Sequence, residues 1–418
     1  MAVQHEFFAT TAKGLEDLLA GELRELGAEH VALARAGVSF AGPLEVGYRA
    51  CLWSRVANRV LLPLASFPAE TADALYSGVR SVAWADHVGR RSTIAVDCAT
   101  SQSRLAHSHY AALKTKDAIV DQMRERAGVR PSVDVSRPDV HVNLYVHRDR
   151  AVISVDLSGE SLHRRAYRAK GVPAPLKETL AAAILLLAQW PRLARAGAPL
   201  VDPMCGSGTL PIEAGLLAAD VPPGLRRADF GFMRWAGHQQ DVWRRLLAEA
   251  AEREIRDPRK LPVIRGADIH AGAVRNALAN VERAGLRGRV HVERRALADS
   301  EPPPSRHGHH RTGGLFVVNP PYGERQGAIE ALAPLYAEIG DVLRRRFTGW
   351  TGYVLTGTPQ LAKHIGLRAA RRHILYNGAI ECRLLQLPIS ETRVQDAEGP
   401  RWRRRGHEHQ NRPGDGSR

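Results

Sequence analysis

The stretch "VDPMCGSGTL", Val201–Leu210, runs from a short apolar segment through a loop with two glycines into the helix-like "TLPIEAGLLAA". Gly206 and Gly208 remove side chains where the backbone must turn and approach a ligand, and ligands of open α/β sheets bind at the carboxyl ends of strands. The loop has no third glycine in G-x-G-x-x-G spacing and no following G-K-[ST], which sets it apart from dinucleotide and phosphate loops. An acid, Asp202, closes the strand instead. It would repel a phosphate and suits a cation.

Outward from this loop the pattern is regular. "PLVDP" (199–203), "VIRGADI" (263–269), "RVHVER" (289–294), "GLFVVNP" (314–320) and "TGYVLTG" (351–357) read as single strands, expected to be buried, separated by helical stretches. Such alternation predicts βαβ crossovers and a mainly parallel sheet. "HILYNGAIECRLLQLPI" (373–389) places Asn377-Gly378 between two strand-like runs, the signal of a tight hairpin. The expected α/β architecture over 177–390 is a seven-stranded, mainly parallel sheet closed by an antiparallel hairpin.

Residues 1–157 read differently. "HEFFATTA" and "AGVSFAG" are strand-like, "GLEDLLAGELREL" is a helix ended by Gly27, and "YAALKTKDAIVDQMRERAG" is a longer helix. "VHVNLYVH" and "AVISVDLSG", joined by "RDR", predict a hairpin. Small α+β units are the expectation for this part.

Composition narrows the classes. The chain has 418 residues, 44% of them hydrophobic, enough for several cores. Its longest apolar run, "LAAAILLLA" (180–188), is too short to span a bilayer, and no signal peptide opens the sequence, so a soluble cytoplasmic protein is expected. Cys51, Cys98, Cys205 and Cys382 lie far apart, which suits reduced thiols and no structural zinc. His307, His309 and His310 sit in the Pro/Gly-rich "SEPPPSRHGHHRTGG" (300–314) without acidic or cysteine partners, so no metal is expected. A net charge of +15 gives a field that attracts phosphate backbones. Arginine carries most of it, notably in "HRRAYRAK" (163–170).

Two further features complete a constellation. Asp268, in "GADIHAGAV", ends the next strand, where a carboxylate can accept both hydroxyls of a ribose or cap the following helix. Both roles fit a strand-to-helix turn. In "LFVVNPPYGER" (315–325) four apolar residues give way to Asn-Pro-Pro-Tyr. A cation-tolerant glycine loop, a ribose-type acid and this tetrapeptide, in that order, best match an S-adenosylmethionine site.

The residues also carry a resemblance. "DPMCGSGT" is similar to the glycine-rich first motif of class I methyltransferases, and "NPPY" to the fourth motif of those acting on amino groups. With "HRRAYRAKGVPAPLKETLAAAIL" (163–185) and "NPPYGER", the whole chain resembles the guanine-N2 methyltransferases of bacterial 23S ribosomal RNA, and corresponds to the N-terminal half of the fused forms. The resemblance implies a ferredoxin-like segment over 1–65, a THUMP RNA-binding domain over 66–157, a basic linker over 158–176, a Rossmann-like methyltransferase domain over 177–390 and a disordered basic tail over 391–418. It implies S-adenosylmethionine as cofactor, held by Asp202, Met204, Cys205, Gly206, Ser207, Gly208, Thr209, Asp268 and Ile269. "VERRALAD" (292–299) departs from the family in lacking an acid directly after the third strand, and Ala296 and Leu297 are assigned to the adenine pocket. Some relatives fuse a second domain that forms 7-methylguanosine; the sequence ends before such a unit, and that activity is expected to be absent.

The chemistry of the tetrapeptide follows. A guanine N2 lone pair is delocalised into the ring, so transfer requires the amino group to be held and polarised. The Asn319 side-chain oxygen and the Pro320 carbonyl can each accept one N–H, Pro321 stiffens the turn, and Tyr322 offers a stacking face to an extruded base. Arg164, Arg165, Arg168 and Lys170 are the expected RNA contacts. Large-subunit rRNA is the preferred substrate and tRNA the alternative. A protein glutamine or a DNA base presents a similar planar amino group, and a non-enzymatic RNA-binding assembly factor would need no combination of Asp202, Asp268 and Asn319.

Overall fold

The computed structural model describes residues 3–168, 176–304, 313–322 and 326–390. Two sheets organise them. The first contains β1 (His5–Thr10), β2 (Glu29–Ala34), β3 (Gly37–Gly42), β4 (Arg59–Pro68), β5 (Thr93–Ser101), β6 (Ser132–Val133), β7 (Val140–His147) and β8 (Arg150–Asp156), in the order β2-β3-β1-β4-β8-β7-β5-β6. Helices α1 (Glu16–Glu25), α2 (Leu44–Trp53), α3 (Ala72–Arg80) and α4 (Ser108–Ala127) pack beside it.

The helix stop read from sequence at Gly27, and that of α4, each have a local cause. Gly27 takes φ +89° after α1, and Gly128 caps α4 at φ +65°, a conformation that costs glycine little. The β7–β8 hairpin forms as expected, but with a two-residue loop, Arg148-Asp149, both at positive φ. Such primed geometry matches the twist of paired strands. The two small N-terminal units share a single sheet: β4 pairs with β1 through Arg59–Leu61 and with β8 through Leu61–Pro68. The expected division at 65/66 therefore falls inside a strand common to both units.

The second sheet contains β9 (Leu200–Asp202), β10 (Ile264–Asp268), β11 (His291–Arg294), β12 (Leu315–Val318), β13 (Thr351–Thr356), β14 (Arg371–Asn377) and β15 (Ile380–Pro388), in the order β11-β10-β9-β12-β13-β15-β14. The first four pairings along this order are parallel and the last two antiparallel. Around it lie α5 (Glu178–Leu187), α6 (Trp190–Arg195), α7 (Thr209–Ala218), α8 (Gln240–Arg253), α9 (Ala271–Arg283), α10 (Gln326–Arg346) and α11 (Pro359–Ala362). The run "LFVV" of β12 is apolar at every position because both faces are covered. Leu315 and Val317 join the core continuous with the N-terminal unit, while Phe316 and Val318 join a separate core with Tyr336, Phe347 and Trp350.

The C-terminal hairpin requires a correction of register. Asn377 is the last residue of β14 and pairs with Ile380, so the loop is Gly378-Ala379, with Gly378 at φ +67°. The glycine occupies the left-handed position at which a side chain is strained. Asn377 stays in the strand, from which its amide reaches the Tyr322 hydroxyl.

The segment expected to be a linker is held in place as far as it is described. Arg227 donates to the carbonyls of Ser158, Glu160, Ser161 and Arg164, at 3.1, 2.7, 3.0 and 2.8 Å. N-terminal and C-terminal units also meet through Tyr48 stacked on Phe232 at 4.1 Å and through Arg49 paired with Glu249 at 2.6 Å. Lys170, the three histidines of the 300–314 loop and the tail 391–418 lie outside the described residues.

Candidate active site

Strands β9 and β12 are hydrogen-bonded neighbours, and the chain proceeds from β9 to β10 on one side and places β12 on the other. That is the switch point at which open α/β sheets bind ligands. The glycine loop after β9 and the Asn-Pro-Pro-Tyr segment after β12 consequently face one cleft. It encloses about 640 Å³ and is lined by Leu176, Lys177, Asp202, Met204, Cys205, Gly206, Ser207, Thr209, Leu210, Asn319, Pro320, Pro321, Tyr322, Asn377, Gly378 and Ile380.

On the loop side, Gly206 and Gly208 take φ +55° and +83°, and a Cβ on Gly208 would lie 3.1 Å from the Ala277 Cβ of α9. The second glycine is thus needed both for the turn and for close packing of a helix. Asp202 is 1% exposed and accepts a hydrogen bond from the Met204 backbone N–H at 3.2 Å. Burial pushes its carboxyl up to about 8; the backbone hydrogen bond opposes this and the nearby Asp268 charge adds to it. A carboxylic acid so placed ionises when a cation arrives. Burial likewise raises the Cys205 thiol well above its usual range, which leaves it an apolar lining group.

Asp268 does not cap α9, whose N-cap is His270; its carboxylate instead braces two backbone turns. Its Oδ1 accepts from the His270 N–H at 2.9 Å at the start of α9, and its Oδ2 accepts from the Gly206 N–H at 3.0 Å in the glycine loop. The carboxylate therefore ties two successive strand ends together. Ile269 beside it is 56% exposed, an apolar face open to a planar ring. Asp268, Ile269, Ala296 and Leu297 are not among the residues lining the 640 Å³ cleft. Leu297 is 7% exposed and belongs to the core around Phe316, so its side chain serves packing.

On the opposite side, the Asn319 Oδ1 is buried without a hydrogen-bond partner. Buried polar atoms are seldom left unpaired, and this one belongs to a residue that lines the cleft. The Tyr336 hydroxyl lies within hydrogen-bond distance of the Pro321 carbonyl, 3.3 Å, and of Thr356 Oγ1, 3.0 Å, which steadies the turn. The Tyr322 hydroxyl accepts from Asn377 Nδ2 at 3.0 Å, and burial raises this phenol above its ordinary value. Asn377, which sequence reading treated only as a turn residue, enters the site from the hairpin. No local signal announced that role, because it depends on the pairing of β14 and β15.

Two of the expected RNA contacts are elsewhere. Arg165 is 2% exposed, paired with Glu213 of α7 and donating to the Arg55 carbonyl. Arg168 is turned under the glycine loop. A guanidinium as buried as that of Arg165 cannot reach a phosphate backbone, and all three guanidinium nitrogens of Arg168 are engaged by protein acceptors. Arg164 remains exposed and pairs with Glu160 at 2.5 Å. Among the described residues there is no group of three or more His, Cys, Asp or Glu placed to hold a metal, and no helix long and apolar enough to cross a membrane.

Comparison with known proteins meets the same arrangement. Residues 165–386 match the family model described as the RMKL-like methyltransferase domain. The chain belongs to that family. Ahead of the RMKL-like domain, residues 6–61 match the RlmL ferredoxin-like domain and residues 69–156 the THUMP domain. Over 393 residues the chain is 52% identical to the ribosomal RNA large subunit methyltransferase K/L of Methylococcus capsulatus, covering 94% of this chain and 52% of that protein. The chain spans about half the length of the curated relatives it matches. Among solved structures, SMU.472 complexed with SAH superimposes with a TM-score of 0.82 at 30% identity, covering 93% of this chain and 99% of that one. A Listeria monocytogenes protein, described as a predicted N6-adenine-specific DNA methylase, gives a TM-score of 0.81 at 30% identity, covering 93% and 97%. These two solved structures each cover 93% of this chain, so the likeness extends over both sheets.

Proposed function

We propose that this protein transfers a methyl group from S-adenosylmethionine to the exocyclic N2 amino group of a guanine in RNA, with large-subunit ribosomal RNA as substrate. The observation that carries this reading is one cleft lined on one side by the buried Asp202 and the glycine loop and on the other by Asn319 to Tyr322, with Asn319 Oδ1 buried and unpaired beside it. The residues present suit the cofactor: Asp202 meets positive charge, Asp268 and Ile269 offer a carboxylate and an apolar face, and the space beside Gly206 is open. When bound, the cofactor supplies an electrophilic methyl on a sulfonium.

The protein's own contribution is placement. Asn319 Oδ1 and the Pro320 carbonyl accept the two amino hydrogens, which turns the nitrogen lone pair toward the methyl. Tyr322 presents a ring for the extruded base. As the C–N bond forms, the S–C bond breaks, the sulfur leaves as a neutral thioether and the amino nitrogen releases one proton to solvent. No strong base is required, because holding the reactants in line supplies much of the rate. The names of the relatives 45–52% identical to this chain support ribosomal RNA as substrate, and a cytoplasmic setting goes with it. The likeness to the Listeria monocytogenes protein favours a second reading, since adenine N6 is also a planar amino group.

The test is methyl transfer by the purified protein to protein-free large-subunit rRNA, tRNA and duplex DNA, with nucleosides identified by mass spectrometry. N2-methylguanosine from rRNA is the expected product. Methylation of tRNA alone, or N6-methyladenine from DNA, would overturn the choice of substrate while retaining the methyl-transfer reading.

A further inference from the structure

Each of the three guanidinium nitrogens of Arg168 has its own partner. Nε donates to Glu178 Oε1 at 2.9 Å, Nη1 to Ser207 Oγ at 2.8 Å and Nη2 to Thr209 Oγ1 at 2.8 Å. The side chains of Arg168 and Glu178 are only 10% and 6% exposed. Ser207 and Thr209 flank Gly208, the left-handed residue through which the loop enters α7. A planar fork spans two hydroxyls and a carboxylate in fixed directions, which a lysine ammonium on a flexible stem does not reproduce.

The same loop is gripped at two other points, by Asp268 at the Gly206 N–H and by Asn280 Nδ2 at the Ser207 carbonyl, 2.8 Å away. Those grips hold its backbone, whereas Arg168 holds its side chains. The segment carrying Arg168 is itself anchored: Arg165 binds Glu213 and the Arg55 carbonyl, the Tyr167 hydroxyl donates to Glu213 at 3.0 Å, and Arg283 Nε donates to the Tyr167 carbonyl at 2.8 Å. A continuous set of hydrogen bonds thus runs from the N-terminal unit to the glycine loop.

We propose that Arg168 is a positioning residue for the cofactor loop, presetting the Ser207 and Thr209 hydroxyls so that the loop is ordered before the cofactor arrives. The proposal rests on the S-adenosylmethionine reading given above. A preset loop binds more tightly because ordering it costs nothing at the moment of binding. Arg168 acts through the loop rather than on either reactant, so its loss weakens cofactor binding and leaves the chemical step intact once cofactor is saturating.

The experiment uses the full chain, with S-adenosylhomocysteine as the calorimetric probe. Arg168→Lys retains a cation beside Glu178 but not the fork, and should weaken probe affinity roughly tenfold, the loss expected for hydrogen bonds to a charged group. The kcat at saturating cofactor, the RNA affinity and its salt dependence should be unchanged. The double variant Arg168→Gln with Glu178→Gln leaves no buried charge unpaired, so a folded protein remains available, and the same loss of probe affinity is expected. A lower melting temperature with unchanged probe affinity would reduce Arg168 to a structural tie and overturn the proposal. A change confined to RNA affinity and its salt slope would return it to an RNA contact. Failure of the unaltered protein to bind the probe would overturn the cofactor reading itself, and this inference with it.

Discussion

Asn377, at the end of β14, donates its side-chain N–H to the Tyr322 hydroxyl across 3.0 Å, joining the C-terminal hairpin to the Asn-Pro-Pro-Tyr turn. The ring is confined on its other side by Gly357, where a Cβ would lie 2.7 Å from Tyr322 Cδ2. A tyrosine held at its hydroxyl and along its edge has one orientation. Asn377→Ala should release the ring, costing about 0.5 to 1.5 kcal/mol in placing the target base. The measurable outcome is a KM for RNA raised a few-fold with cofactor affinity unchanged; an unaltered KM would show that the contact does not set the ring.

Asn319→Ala removes the unpaired acceptor and touches neither the glycine loop nor Asp268. Cofactor should still bind while single-turnover methyl transfer falls by roughly 10²-fold, as for loss of a preorganised polar group at a reacting centre. Near wild-type transfer would end the amino-polarising role. Tyr322→Ala should act mainly on RNA binding, at about 1 to 3 kcal/mol for a lost stacking face.

Asp268→Ala should weaken cofactor binding by about 1.5 to 3 kcal/mol, the range for hydrogen bonds to a charged group. Part of that loss comes through the loop, because the same carboxylate accepts from the Gly206 and His270 N–H groups. Calorimetry on the folded variant is the measurement. Unchanged affinity would leave Asp268 as a brace of the two backbone turns alone.

Asp202 gives a pH dependence with a definite sign. Its folded value of about 8 lies above the 3.8 of a free aspartate, so its contribution to stability is fully present below the unfolded value and is lost as pH rises toward 8. Asp202→Asn should therefore stabilise the cofactor-free protein most at and above neutral pH, which thermal melts across the range will read. The cofactor has the opposite dependence. A cation stabilises the ionised acid, so affinity should rise with pH up to about 8, and proton release should appear when calorimetry is repeated in buffers of different ionisation enthalpy.

Glu213 is 0% exposed and neutralises Arg165 at the joint between the units. Burial, with the adjacent Arg165 charge adding to it, also pushes Arg55 down to about 10. Glu213→Gln should destabilise the protein by about 3 to 5 kcal/mol by leaving a buried cation unpaired. A denaturant midpoint close to that of the unaltered protein would mean that the joint relaxes to admit water.

The second sheet was legible because its signals are local. The strands β9, β12 and β13 are short, largely apolar runs buried on both faces, and the glycine loop and the acidic turn follow their strands directly in the chain. Edge strand β2 was not legible. Its run Val31–Ala34 is short and half alanine, without the alternation of a half-buried strand, and five of its six residues are exposed. The sharing of β4 by both N-terminal units was hidden for a different reason, since one strand reads the same whether it has one neighbour or two.

The site divides along the same line. The sequence by itself determined the order of the chemistry: Asp202 and the glycine loop, then Asp268, then Asn319 to Tyr322, each at a strand end where periodicity breaks. Only the tertiary structure decided which cations face solvent. Arg164, Arg165 and Arg168 are close together in one basic run, yet one lies in water, one against Glu213 and one under Ser207 and Thr209. A guanidinium has the same charge in each place, and its role is set by acceptors distant in the chain that folding brings beside it.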